Sequence, residues 1–93
     1  MELPINYTET HYSTRKLARE QYVREQEGKC CHCKEFLSEE PSKEVLSKPI
    51  NSALFPAGMF SYPVHLHHCR KTHMTIGAVH ARCNAFMWQY LGE

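Results

Sequence analysis

The side chains of this chain that could do chemistry crowd into its second half. Three histidines fall within four positions, His65, His67 and His68, and twelve residues after His68 comes His80-Ala81-Arg82-Cys83-Asn84. Upstream, Cys30 and Cys33 form a Cys-x-x-Cys flanked by Lys29 and Lys34. Cys30, Cys33, His80 and Cys83 thus make two pairs, each with two intervening residues, the spacing a tight turn needs to aim two donors at one ion. Thiolate and imidazole donors suit tetrahedral Zn²⁺; such a site is closed, so its binding energy becomes folding energy. Cys31 is the ambiguous neighbour, because adjacent side chains tend to point apart, and Cys30 with Cys33 is the preferred pair. The competing reading is a buried cluster of free thiols, against which Lys29, Lys34 and Glu35 argue by suggesting a loop. A histidine in the fourth place also leaves open packing instead of a metal.

The second constellation is His65, His67, His68 and Asn84. A regular strand sends His67 and His68 to opposite faces. For both to serve one site, the strand must end or bulge there. Asn84, in the first turn of an expected helix, can present its amide oxygen back toward the histidines. Imidazole and amide donors carry no charge, so a divalent ion held by them keeps its full double charge for a phosphate oxygen.

The elements that must position these residues follow from pattern. At 93 residues the chain makes one domain with a thin core, for which a metal staple is expected. Residues 1–12 lack periodicity and read as a flexible arm. A scaffold helix is expected over 13–27, with Ser13 as N-cap, a stripe of Leu17, Ala18, Gln21 and Tyr22, and Gly28 as stop. The cysteine knuckle occupies 28–37. Residues 38–58, punctuated by Pro41, Pro49, Pro56 and Gly58, read as a connecting loop in which Val45-Leu46 could form one turn. Met59 to His68 alternates as a strand, and Thr75 to His80 reads as a second, joined by a polar loop. Cys83, Phe86, Met87 and Tyr90 then fall on one helical face, and these with Trp88 are expected in the core.

The bulk numbers narrow the class. No basic region followed by an apolar run opens the chain, and no window approaches the ~18 apolar residues of a membrane span. An odd cysteine count, five, without export points to thiolate ligands rather than disulfides, with the cytoplasm as expected location. The net charge of +1 says little about partners. Its distribution says more: Arg15, Lys16, Arg19 and Arg24 share the early helix, and Arg70, Lys71 and Arg82 surround the histidines. Each group is either a phosphate-binding face or ordinary solvated surface. His11, His32 and His73 read as loop residues without a role, and Cys31 and Cys69 as incidental thiols.

Cys-x-x-Cys, then His-His at a strand end, then His-x-x-Cys-Asn opening a helix resembles the HNH nucleases. The similarity is greatest to the branch typified by phage recombination endonuclease, and it spans residues 28–91 in order. It implies a small α+β fold carrying the ββα-metal (His-Me finger) motif, a β-hairpin plus C-terminal helix over 59–91, beside the N-terminal helix and Cys/His knuckle. By that likeness His68 matches the general base, and His67 occupies the metal-binding place where many members have Asp. Asn84 matches the metal-binding Asn, and His65 an upstream phosphate contact. His80 replaces a knuckle Cys, and the late His of other branches has no match.

The activity implied is hydrolysis of DNA phosphodiesters, duplex or branched, to 5′-phosphate and 3′-hydroxyl ends. Nicking by a monomer or weak dimer, in a bacterial or phage-infected cell, is expected. With imidazole in place of carboxylate, Mn²⁺, Co²⁺ or Ni²⁺ should serve better than Mg²⁺, which prefers hard oxygen ligands. The alternative is a non-catalytic zinc-binding module that docks nucleic acid or protein. A zinc hydrolase of another substrate trails, since no Glu neighbours the histidines to activate water.

Overall fold

Helix α1 spans Tyr12–Glu25 in a computed structural model that describes all 93 residues. Its cap is His11 rather than Ser13. The extended His11 backbone turns its ring back, and Nδ1 accepts the Ser13 N–H at 3.2 Å, the service an N-cap side chain performs. The helix stops two residues short of the expected end because Glu27 and Gly28 both adopt left-handed φ, 57° and 77°, and the Gly28 N–H returns to the Val23 carbonyl. Ala18 and Tyr22 form the buried face, and Leu17 is exposed, so the stripe is narrower than the spacing predicts.

The sheet is a two-stranded antiparallel hairpin of β1, Val64–His68, and β2, Thr75–His80. β2 covers the expected residues. β1 begins five residues later than the alternation suggests, because Gly58 at φ 83° starts a 3₁₀ turn over Met59–Ser61. Register runs from Val64 opposite His80 to His67 opposite Gly77, then slips, so that His68 faces Thr75. The irregularity falls between the two neighbouring histidines.

The other edge of β2 is also occupied. Ile5 and Tyr7 exchange backbone hydrogen bonds with Thr75 and His73, and the Ile5 N–H donates to Thr75 Oγ1. The first twelve residues are therefore no frayed arm: Leu3, Ile5 and Tyr7 pack against the core. Further along, the Gln26 amide makes both bonds to Ala78, accepting from its N–H at 2.8 Å and donating to its carbonyl at 2.9 Å. A Cβ on Gly77 would lie 2.7 Å from Gln26 Oε1 and 2.9 Å from Cys31 Sγ, so this approach requires glycine.

Residues 38–58 are stitched down rather than loose. Helix α2, Lys43–Leu46, is capped by Ser42 and buries Val45, and a 3₁₀ turn follows at Ser52–Leu54. Gln89 accepts from the Asn51 N–H and donates to the Pro49 carbonyl, which also accepts from the Tyr90 hydroxyl. Arg82 donates to the carbonyls of Leu46 and Lys48.

Helix α3, Ala81–Phe86, follows β2 directly and passes into a π-helical turn over Met87–Leu91. The wider turn rotates every later side chain off the expected stripe. Cys83, Phe86 and Met87 stay buried, while Trp88 and Tyr90 are 39% and 40% exposed rather than core. Val45, Val79, Cys30 and Cys83 are the largest fully buried side chains, which places the knuckle inside the core of this small α+β structure. No helix is long and apolar enough to cross a membrane.

Candidate functional site

The donor atoms of Cys30, Cys33, His80 and Cys83 lie within 4.8 Å of one another and can hold a metal ion. A knuckle turn closed by Lys29 pairing with Phe36 presents the first two, and the junction of β2 with α3 presents the second two. His80 Nδ1 stands 3.5 Å from Cys33 Sγ and 3.6 Å from Cys83 Sγ. With Zn–S of about 2.3 Å and Zn–N of about 2.0–2.1 Å, a tetrahedron has S···N edges of roughly 3.5 Å, so the spacing fits Zn²⁺.

The tautomer fits as well. His80 Nε2 donates to the carbonyls of Phe36 and Glu39, both at 2.9 Å, which leaves the Nδ1 lone pair facing the sulfurs. Three thiols this close cannot all lose their protons unless a cation sits among them. The Cys83 thiol bonding to the Cys30 sulfur pulls Cys30 far below the usual thiol range and pushes Cys83 up. Cys31 is not in the cluster: its N–H donates to the Ala78 carbonyl, and its sulfur lies against Gly77.

His65, His67 and Asn84 come together on the opposite flank of α3. Asn84 Nδ2 donates to His65 Nδ1 at 3.2 Å, and His65 Nε2 donates to the Met59 carbonyl at 2.8 Å. His67 is only 5% exposed; it lies near the Asn84 amide, which opposes the effect of its burial, but it does not line the groove that His65, His68 and Asn84 share. Burial lowers the pKa of His65 and of His67 from the ordinary 6.5, which favours the neutral rings, and both His65 nitrogens are already engaged by Met59 and Asn84.

His68 turns elsewhere. Its ring stacks on Tyr7, centroids 4.1 Å apart and planes within 10°. The Arg15 guanidinium also lies 4.1 Å from the Tyr7 ring centre. Burial, then the charges of His67, His73, Arg15 and Arg70, lowers the His68 pKa below 6.5. A groove of about 400 Å³ brings His65, His68 and Asn84 together with Arg15, Lys16 and Arg19 of α1.

Several residues differ from their sequence reading. Tyr7, which sets the His68 ring, lies in the segment expected to be a flexible arm; the alternation of Leu3, Ile5 and Tyr7 was its one signal. His11 caps α1, and His32 packs against Phe86 at 5.6 Å. Arg82 is committed to the carbonyls of Leu46 and Lys48, at and just past the end of α2, and its Nε is buried without a partner, which withdraws it from any phosphate. Arg70 lies over Trp88, 5.0 Å from the ring centre.

No family model, curated protein or solved structure matches the chain.

Proposed function

We propose that this chain is a metal-dependent DNA endonuclease of the ββα-metal type, with Zn²⁺ in the Cys30, Cys33, His80, Cys83 cluster as a structural staple. The observation that carries the reading is the groove in which two neutral imidazoles, an amide and three unopposed cations meet. Arginine and lysine on one wall suit a phosphodiester backbone, and His68 offers a base where the backbone would lie. His67 and Asn84 would hold the divalent ion, and its chemistry there is to stabilise charge on a phosphate oxygen and on the leaving oxygen.

The chain's own residues supply the rest. His68, kept neutral by burial and held flat by Tyr7, takes the proton from the attacking water. His65, with both ring nitrogens engaged by Met59 and Asn84, holds the Asn84 amide at the wall of the groove. Arg15, Lys16 and Arg19 orient the strand, and cleavage leaves 5′-phosphate and 3′-hydroxyl ends. One such groove per chain makes nicking the expected outcome.

The test is supercoiled plasmid incubated with Mg²⁺, Mn²⁺, Co²⁺ or Ni²⁺, comparing the wild type with His68→Ala. Open-circle product is expected, faster with Mn²⁺ than with Mg²⁺. Unchanged cleavage by His68→Ala would remove His68 as the base. The second reading is a non-catalytic zinc module, favoured by the knuckle alone having a complete four-ligand set. It is supported instead if the protein binds zinc and DNA and cuts nothing.

A further inference from the structure

A base acts only where its nitrogen points, and the histidines of this chain are aimed in two different ways. His80 is held through its ring nitrogen by the carbonyls of Phe36 and Glu39, and His65 by the Met59 carbonyl and the Asn84 amide. His68 is not. No hydrogen bond within the protein engages its half-buried ring, which rests instead on the face of Tyr7. With centroids 4.1 Å apart and planes within 10°, that contact fixes the ring plane and leaves both nitrogens free at the rim. A catalytic base is ordinarily aimed by a third group bonded to its far nitrogen.

Tyr7 is itself fixed by the chain around it. Its N–H donates to the His73 carbonyl at 2.8 Å, and its own carbonyl accepts from Arg15 Nε at 2.8 Å. The Arg15 guanidinium also lies over the ring, so one α1 side chain grips both the backbone and the phenol. Just before Tyr7, Ile5 bonds Thr75 through both its N–H and its carbonyl. Just after it, the Asn6 amide oxygen accepts the N–H groups of Thr8 and Glu9 and turns the chain back. Thr75 is also the residue that the slipped register sets opposite His68, and its hydroxyl pairs with Tyr22 of α1. The N-terminal strap, the end of the hairpin and α1 thus converge on one stacked pair.

We propose that Tyr7 is the positioning residue for His68, its stacked ring aiming the imidazole in place of a hydrogen bond, so that the site is complete only with residues 5–10 docked on β2 and α1. This rests on the nuclease reading of the groove, whose wall includes Tyr7 beside His68 and Arg15. Tyr7 acts through His68, and the stack uses its ring rather than its hydroxyl.

The experiment is a double-mutant cycle on the nicking of supercoiled plasmid with Mn²⁺. Tyr7→Leu should lower kcat by about ten- to a hundredfold with KM nearly unchanged, the loss expected when a catalytic group is misplaced by about an ångström. Tyr7→Phe should restore most of the rate. In the His68→Ala background Tyr7→Leu should cost nothing further, because the two residues act as one unit. An equal loss in both backgrounds assigns Tyr7 to the fold alone and overturns the inference. Where Tyr7→Leu does not fold, Arg15→Lys takes its place in the cycle: it keeps the charge, loses the forked grip and should lower kcat less. An unchanged kcat then overturns the inference.

The ring supplies a second readout that needs no turnover. His68 ring protons facing Tyr7 should be shielded in the proton spectrum. Tyr7→Leu should move them downfield, and Tyr7→Phe should leave them in place. Resonances unmoved by Tyr7→Leu overturn the stack. Cleavage by Tyr7→Leu at the wild-type rate sinks the positioning role and keeps the nuclease reading. A wild type that cuts nothing sinks the nuclease reading and the positioning role with it.

Discussion

The two flanks of α3 use nearly the same residue types toward opposite ends. On the knuckle side, His80 is 4% exposed, its Nε2–H is held by two carbonyls, and its free nitrogen faces three sulfurs. A metal ion would complete that arrangement. On the other flank, Asn84 bonds His65, and an open groove reaches both. Closure of the donor shell, rather than donor type, therefore separates a staple from a working surface. The first should govern folding, and the second reactivity.

Breaking the staple should have the largest effect. Structural zinc in small peptides contributes about 10–16 kcal/mol at neutral pH, comparable to the whole stability of a small domain, about 5–15 kcal/mol. Cys83→Ser is expected to lose bound zinc and cooperative thermal unfolding together, by metal analysis and circular dichroism. A folded variant without zinc would reverse the assignment. His68→Ala should do the opposite, losing about 10²–10⁴-fold in cleavage with a melting curve close to wild type.

Arginines sharpen the contrast more gently. Arg15→Gln and Arg19→Gln should each lower the slope of log affinity against log salt by about one. Arg82→Gln, which loses only the bonds to the Leu46 and Lys48 carbonyls, should leave that slope alone and cost about 1 kcal/mol of stability by urea titration. Equal slopes for all three would dissolve the distinction between groove and strap.

The smallest effect is in acid. Burial lowers the pKa of His65, His67 and His68 below 6.5, so below that pH the unfolded chain binds more protons than the folded one. Stability is full above pH 6.5 and should decline as pH falls through the lowered values. His65→Gln should flatten that decline in urea midpoints, and an identical decline in the variant would count against it.

Much of this was readable in the chain. The apolar run around Gly77 in Thr75–His80 and the paired Cys/His spacing belong to local geometry, which sequence records directly. The N-terminal contribution was obscured because Leu3, Ile5 and Tyr7 offer only three apolar positions around Pro4. Residues 38–58 looked free because their ties are side-chain bonds from Arg82, Gln89 and Tyr90 to carbonyls, which have no period. Trp88 looked like core because a π turn changes the helical phase without any marker in composition.

The Gln26 amide has a consequence for how these molecules treat one another. By imitating a peptide group at Ala78, it occupies donor and acceptor that an incoming chain would need to extend the sheet. With Ile5 and Tyr7 holding the preceding stretch, β2 cannot template a foreign strand, and self-assembly by sheet extension is confined to the β1 side.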